Sequence, residues 1–242
     1  MKVAIITGAS RGIGKATAVL LSEKGYCVVL CGRDLLTLQQ VQSHLKGPSL
    51  IVEGDIICQK TQEKIIHDTL QTFRQIDILI NNAGANFYEG SILEVKEKHI
   101  ERTFQLNYTS VLQMCQKCIP VMISQQKGTI VNVSSVSSDF PDPTSAVYAS
   151  SKAALETLTK SLAIEFADKG IRVNCVSPGY TDTGMTEDMD CNIQQKKCSV
   201  ISLKRFGKDT EIANAIVFLA EDHSSFCNGT ILNVNGGYLL GL

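Results

Sequence analysis

The chain has 242 residues, 44% hydrophobic and 19% charged, which suits a globular α/β core. A net charge of −1 gives no footing for nucleic-acid binding or electrostatic membrane attachment, and no apolar run approaches the length of a membrane span. Nine cysteines, an odd number scattered in apolar settings such as Cys27, Cys31 and Cys175, point to free thiols in a reducing compartment.

In chain order, residues 2–7 read as a strand that starts almost at Met1. That leaves no room for a cleaved presequence, so the expected location is the cytoplasm or the mitochondrial matrix. The turn Gly8-Ala9-Ser10-Arg11-Gly12-Ile13-Gly14 follows, then a helix with Ile13, Ala16, Leu20 and Leu21 on its apolar side. Residues 26–31 form a second strand. Glycines at the first turn of such a βαβ unit let the backbone approach a phosphate, whose charge the helix N-terminus favours. The spacing is G-x-x-x-G-x-G, and a purely structural turn would read the same way.

Residues 34–46 read as a helix, Ser49–Glu53 as a strand, 58–73 as a helix and 77–80 as a strand running into Asn81-Asn82-Ala83-Gly84. Residues 95–122 have helical periodicity in two pieces, with Asn107 between them. Gly128–Val133 is a fifth strand, and a helix containing Tyr148 runs to about residue 167. Residues 171–176 form a sixth strand stopped by Pro178-Gly179. Residues 181–203 are polar and irregular, Asp209–Ala220 is a helix, and Ile231–Val234 is the last strand. Strands alternate with helices and no linker interrupts them. This predicts one Rossmann-type, doubly wound parallel sheet with helices on both faces, a single domain over 1–242 with halves of about 1–130 and 131–242. Ligands in such sheets bind at the carboxyl ends of the strands. There the sequence places Gly8–Gly14, Arg33, Asp55, Asn82, Ser135 and Pro178-Gly179.

Tyr148 and Lys152 are four residues apart and share a helix face. A phenol beside an ammonium can do acid–base work, because a nearby cation favours the phenolate and lowers its pKa. Ser135, at the end of the fifth strand, could aim a hydroxyl at the same point. An ordinary surface helix with an incidental Tyr and Lys fits the spacing too. Cys115 and Cys118 lie inside a helix without a second pair, so they read as buried thiols, and the four histidines show no ligand spacing; no metal is expected. Ser134-Ser135 lacks a nucleophile elbow, which argues against a hydrolase.

Taken together, Thr7-Gly-Ala-Ser-Arg-Gly-Ile-Gly14, Asn81-Asn-Ala-Gly84, Asn107, Ser135, Tyr148-x-x-x-Lys152 and Pro178-Gly179 resemble the short-chain dehydrogenases/reductases over essentially the whole chain. Within that family, Leu203-Lys-Arg-Phe-Gly207 and Asn233-Val-Asn-Gly-Gly237 resemble the 3-oxoacyl-[acyl-carrier-protein] reductases and their carbonyl-reductase relatives. The resemblance implies that Tyr148 protonates the carbonyl oxygen, Ser135 hydrogen-bonds it, Lys152 holds the nicotinamide ribose and lowers the tyrosine's pKa, and Asn107 holds a water on the path to Lys152. It implies that Gly8, Ala9, Ser10, Arg11, Gly12, Ile13 and Gly14 cradle the pyrophosphate. It further implies that Asp55 and Ile56 meet the adenine, that Asn82, Ala83 and Gly84 line the ribose side, and that Pro178, Gly179 and Thr181 meet the nicotinamide.

Charge argues for NADPH. Gly32 stands where an NAD-selecting acid is expected, Arg33 follows it, and Arg11 adds a second guanidinium, while the register puts Asp34 past the strand at an expected helix N-cap. The expected activity is NADPH-dependent reduction of a ketone, foremost a 3-oxoacyl thioester. Other carbonyl, quinone or steroid substrates and a non-catalytic NADP-binding subunit are the alternatives. Lys196-Lys197 and Lys204-Arg205 could dock an acyl carrier protein, although Gln126 and Lys169 stand where the resemblance would place arginines. The family also implies a homotetramer, to which the apolar helices around Cys115 and Leu158 would contribute.

Overall fold

The computed structural model describes residues 1–184 and 190–238. Its strands are β1 (Val3–Thr7), β2 (Cys27–Gly32), β3 (Ser49–Glu53), β4 (Ile78–Asn81), β5 (Gly128–Val133), β6 (Ile171–Pro178), the short β7 (Thr181–Asp182) and β8 (Gly207–Lys208), and β9 (Ile231–Val234). Seven of them form one sheet in the order β3-β2-β1-β4-β5-β6-β9, with every pair parallel. The helices are α1 (Gly12–Glu23), α2 (Leu35–Gln42), α3 (Gln59–Phe73), α4 (Glu97–Phe104), α5 (Ser110–Gln125), α6 (Ala146–Glu165), α7 (Cys191–Ser199) and α8 (Asp209–Ala220).

The strands read as continuous apolar runs because both sheet faces are covered. One face packs Ile5, Val29 and Val173 against Ile65 of α3, Met114 of α5 and Leu155 of α6. The other packs Ile6, Leu30 and Val176 against Leu21 of α1, Leu38 of α2 and Ile216 of α8. Strand order reverses between β1 and β4, so their carboxyl ends open the crevice in which such sheets receive ligands.

The fold class expected from the sequence is the one observed, with local differences. The helix expected over 34–46 ends at Gln42. Beyond it the Ser22 hydroxyl accepts from Lys46 N and Gly47 N at 2.8 and 3.0 Å, pulling the chain back onto α1. The break expected at Asn107 is a π-helical turn, Gln105–Thr109, joining α4 to α5. The stretch 181–203 is more ordered than its polarity suggests. It contains β7 and α7, whose N-terminus Asp190 caps by accepting from Asn192 N and Ile193 N, while 185–189 lie outside the described residues. Cys115 and Cys118 are buried in the core, and Leu158 packs against it. The apolar surface expected there to drive assembly is thus largely satisfied within one chain. Large exposed apolar side chains stand elsewhere, at Ile164, Phe218 and Phe226. No helix among the described residues is long and apolar enough to cross a membrane.

Candidate active site

The glycine turn leaves β1 tightly. Gly8 and Gly12 have φ of +65° and +51°, the left-handed region that glycine enters freely. A Cβ at Gly14 would collide with the Gly8 carbonyl, and one at Gly8 would stand 3.0 Å from Ala83 Cα. The turn, the start of α1 and the end of β4 are therefore in close backbone contact, leaving a cradle that side chains would fill. Thr7 and Asn82 tie it together. Thr7 Oγ1 accepts from the amides of Asn82 and Ala83 at 3.0 Å, and Asn82 Nδ2 donates to the carbonyls of Thr7 and Gly8 at 2.9 and 3.1 Å. The Asn82 amide nitrogen thus holds the turn in shape, a task the sequence reading did not give it. The described residues fit a dinucleotide: a turn open to phosphate at the N-terminus of a twelve-residue helix.

A second group of side chains meets at the ends of β4 and β5. Lys152 is buried, and its ammonium donates to the Val133 carbonyl at 2.8 Å. It lies 5.8 Å from the centre of the Tyr148 ring. Gly84 lies between Lys152 and Asn107: a Cβ there would be 3.0 Å from Lys152 Nζ and 3.2 Å from Asn107 Oδ1. Asn107 is fully buried in the π turn, a local widening often found at functional sites. Its amide accepts from Ala85 N and donates to Ala85 O, each at 3.0 Å, and also donates to Ser151 Oγ at 3.0 Å. Ser151 in turn donates to the Tyr148 carbonyl at 2.7 Å. Ser135 caps a short 3₁₀ turn, Val136–Ser138, accepting from Ser137 N at 3.2 Å, and its hydroxyl interacts with the Tyr148 phenol.

The electrostatics differ from the sequence expectation. Burial raises the Tyr148 phenol above 10.0, and the Ser135 hydrogen bond opposes this only in part. Lys152 does not bring the phenol down, because its ammonium is itself desolvated, which lowers it to about 8, and is directed at Val133. Tyr148 is therefore a protonated phenol at neutral pH.

The remaining positions fall where the topology puts them. Arg33 and Arg11 are exposed, and neither side chain makes a hydrogen bond or ion pair among the described residues. Asp34 caps α2, accepting from Leu36 N and Thr37 N at 3.0 and 3.2 Å. Asp55 braces its own turn by accepting from Ile57 N at 3.1 Å, with Ile56 buried beside it. Pro178 ends β6, Gly179 N donates to Val234 O at 3.0 Å, and Thr181 Oγ1 donates to Gly179 O at 2.9 Å. Sequence reasoning missed Thr183, which a Gly12 Cβ would meet at 3.2 Å, so the chain after β7 folds over the glycine turn. It also missed Ser151 and the buried Asn81–Asn132–Thr159 chain that seats α6 on the sheet at 2.9 Å per bond. The cations considered for carrier docking are mostly engaged. Lys197 pairs with Asp142 at 2.6 Å, Arg205 grips Glu211 at 2.7 Å, Lys169 pairs with Asp168 at 2.8 Å, and Lys204 donates to the Ser199 carbonyl.

Residues 8–239 match a family model described as enoyl-(acyl carrier protein) reductase. A 3-oxoacyl-[acyl-carrier-protein] reductase of Thermotoga maritima is 35% identical over 99% of this chain and 98% of its own length. A Staphylococcus epidermidis protein of the same name is 34% identical, covering 98% of each chain. The crystal structure of a levodione reductase superposes with a TM-score of 0.96 at 26% identity, over all of this chain and 98% of that one. The chain belongs to the short-chain dehydrogenase/reductase family and is an oxidoreductase acting on CH–OH and C=O groups.

Proposed function

We propose that the chain reduces a ketone to an alcohol with NADPH, and that its substrate is a 3-oxoacyl thioester. The observation that carries this is one crevice holding both a phosphate cradle, Gly8–Gly14, and a protonated phenol, Tyr148, with Ser135 beside it and Lys152 and Asn107 behind it. A nicotinamide cofactor bound there supplies the hydride that reduces the carbonyl carbon. Tyr148 gives its proton to the developing alkoxide, and Ser135 hydrogen-bonds the same oxygen. Lys152, buried and turned toward the Val133 carbonyl, would hydrogen-bond the ribose and pass on the proton that the phenolate takes back. Asn107 accepts and donates in the passage between Ala85 and Ser151, where a water could return the proton to Lys152.

Arg33 and Arg11 are the free guanidiniums for a 2′-phosphate, and Asp34 does not compete because it caps α2. Ala9, Ser10, Gly12, Ile13 and Gly14 would line the pyrophosphate side. Asp55 and Ile56 would meet the adenine, and Ala83, Gly84, Pro178, Gly179 and Thr181 would flank the nicotinamide half. The names of the two bacterial relatives support the thioester class. With most docking cations engaged, recognition falls on the acyl thioester rather than on a carrier protein. The levodione reductase fold, and the aromatic cluster of Tyr180, Phe206 and Tyr238 close to Val136, favour a compact diketone as the second reading.

The test is oxidation of NADPH and of NADH, each with acetoacetyl-CoA, a cyclic diketone, a steroid ketone and a quinone. The proposal requires acetoacetyl-CoA to give the highest kcat/KM. It also requires a preference for NADPH on the order of a hundredfold at low salt, since a charge-assisted bond contributes roughly 1.5–3 kcal/mol. Equal use of both cofactors would contradict the charge argument, and a fastest turnover on the diketone would replace the thioester.

A further inference from the structure

Glu156 is a buried carboxylate that none of these roles uses. It sits on α6 one turn beyond Lys152, and only 6% of it is exposed. A lone carboxylate there would be strongly disfavoured, so its partners define its task. Ser138 Oγ approaches Glu156 Oε1 at 2.6 Å. Ser138 also closes the turn that begins at Ser135: its amide donates to the Ser135 carbonyl at 2.9 Å, and its hydroxyl, 2.7 Å from that carbonyl, shares its one proton between the carbonyl and Glu156. Just before that turn, Ser134 Oγ donates to the Lys152 carbonyl at 3.3 Å, and Lys152 Nζ donates to Val133 O. The exit from β5 is thus fastened to α6 at two levels, by Lys152 and, one turn on, by Glu156.

We infer that Glu156 is a positioning residue for the proposed reaction: it is the buried counter-charge of the Lys152 ammonium and, through Ser138, the anchor of the turn that aims Ser135 at Tyr148. This rests on reading Tyr148 and Lys152 as the reacting pair. The other ionisable groups around Lys152 and Glu156 are Tyr148 on the same helix and Cys175 on β6. Burial holds the Cys175 thiol at about 12 and keeps the phenol above its ordinary value, so both are neutral at working pH. Cys175 and, after it, Glu156 oppose the desolvation of Lys152; with the thiol neutral, Glu156, one turn along α6, is the carboxylate left to supply negative charge there.

Three substitutions separate the parts. Glu156→Gln keeps the shape and an acceptor for Ser138 but deletes the charge. Glu156→Asp keeps the charge and shortens the reach. Ser138→Ala removes the tie and leaves the charge. One readout needs neither cofactor nor substrate: the ¹³Cε resonance of Lys152 in lysine-labelled, ligand-free protein, identified by its loss in Lys152→Met and followed against pH. The other is the alkaline limb of kcat for NADPH with the fastest ketone of the panel.

Glu156→Gln is expected to move the Lys152 midpoint down by about one pH unit and to carry the alkaline limb with it. Glu156→Asp should hold both near their wild-type positions. Ser138→Ala should leave the midpoint in place and lower kcat by roughly tenfold, as a misaimed donor does. A midpoint that stays put in Glu156→Gln overturns the inference, whatever happens to stability. If that variant does not fold, a midpoint displaced in the charge-retaining Glu156→Asp overturns it instead. Unchanged kcat in Ser138→Ala also overturns it. A wild type that reduces no ketone would sink the proposed function, whereas an active wild type with an unmoved midpoint sinks this inference alone.

Discussion

Lys152 shows how a single residue can be set against the stability of its own fold. Its ammonium is almost wholly buried, and burial lowers it from 10.5 to about 8 although Cys175 and Glu156 nearby oppose this. The unfolded chain therefore binds that proton more tightly than the folded one. The resulting penalty on folding is fully present below about pH 8 and fades as pH rises toward 10.5. Lys152→Met is thus expected to abolish reduction while raising the unfolding free energy at pH 7 by about 1–3 kcal/mol, with the gain shrinking at pH 10. Denaturant unfolding at the two pH values measures this, and a variant no more stable than wild type at pH 7 would contradict it. Tyr148 illustrates the same desolvation acting on an acid, where it keeps the proton on. The Tyr148–Lys152 pair was legible from its spacing, but the direction of the phenol's shift was not, because spacing carries no information about what the ammonium is bonded to.

At the scale of elements, α7 packs Cys198 against the Val136 cluster and, among the described residues, makes one ion pair. Lys197 meets Asp142 of the loop before α6 at 2.6 Å and lies 5.0 Å over the Tyr180 ring. The Lys197 hydrogen bond, with those from Thr144, holds the Asp142 carboxyl at about 2. Its stabilisation is therefore present above the ordinary value of 3.8 and is lost as pH falls toward 2. Both partners are partly exposed, so solvent screening keeps the contribution below about 1 kcal/mol. Lys197→Ala should accordingly cost little stability but loosen the wall beside Val136, raising KM for the ketone several-fold with kcat within about twofold. Steady-state kinetics on the purified variant decide this; an unchanged KM would mean that α7 is held by its aromatic contacts instead. Neither α7 nor the early end of α2 could be read from residue type. The first is nucleated by Asp190 inside a polar stretch, and the second is imposed by Ser22, more than twenty positions away in sequence. By contrast, the strands announced themselves as apolar runs, and the break at Asn107 showed in the periodicity because a π turn adds a residue to the helix.

Over the whole molecule, the parallel order β3-β2-β1-β4-β5-β6-β9 brings to one edge residues that are far apart in the chain: Gly8, Asn82, Ser135, Lys152 and Thr181. Their convergence was inferable because carboxyl ends of parallel strands share a side. The supporting set was not: Ser138, Ser151, Glu156 and Thr183 carry no motif, and their meaning arises only from contacts. We propose that this edge is one reaction centre in which the Tyr148 phenol is the proton donor. The most direct measurement is single-turnover oxidation of bound NADPH by the preferred ketone in wild type and in Tyr148→Phe, with the NADPH dissociation constant measured alongside. Tyr148→Phe is expected to keep the fold and the dissociation constant within about twofold and to lower the rate by several orders of magnitude, on the order of a thousandfold or more. A Tyr148→Phe protein that turns over at near wild-type rate would contradict it.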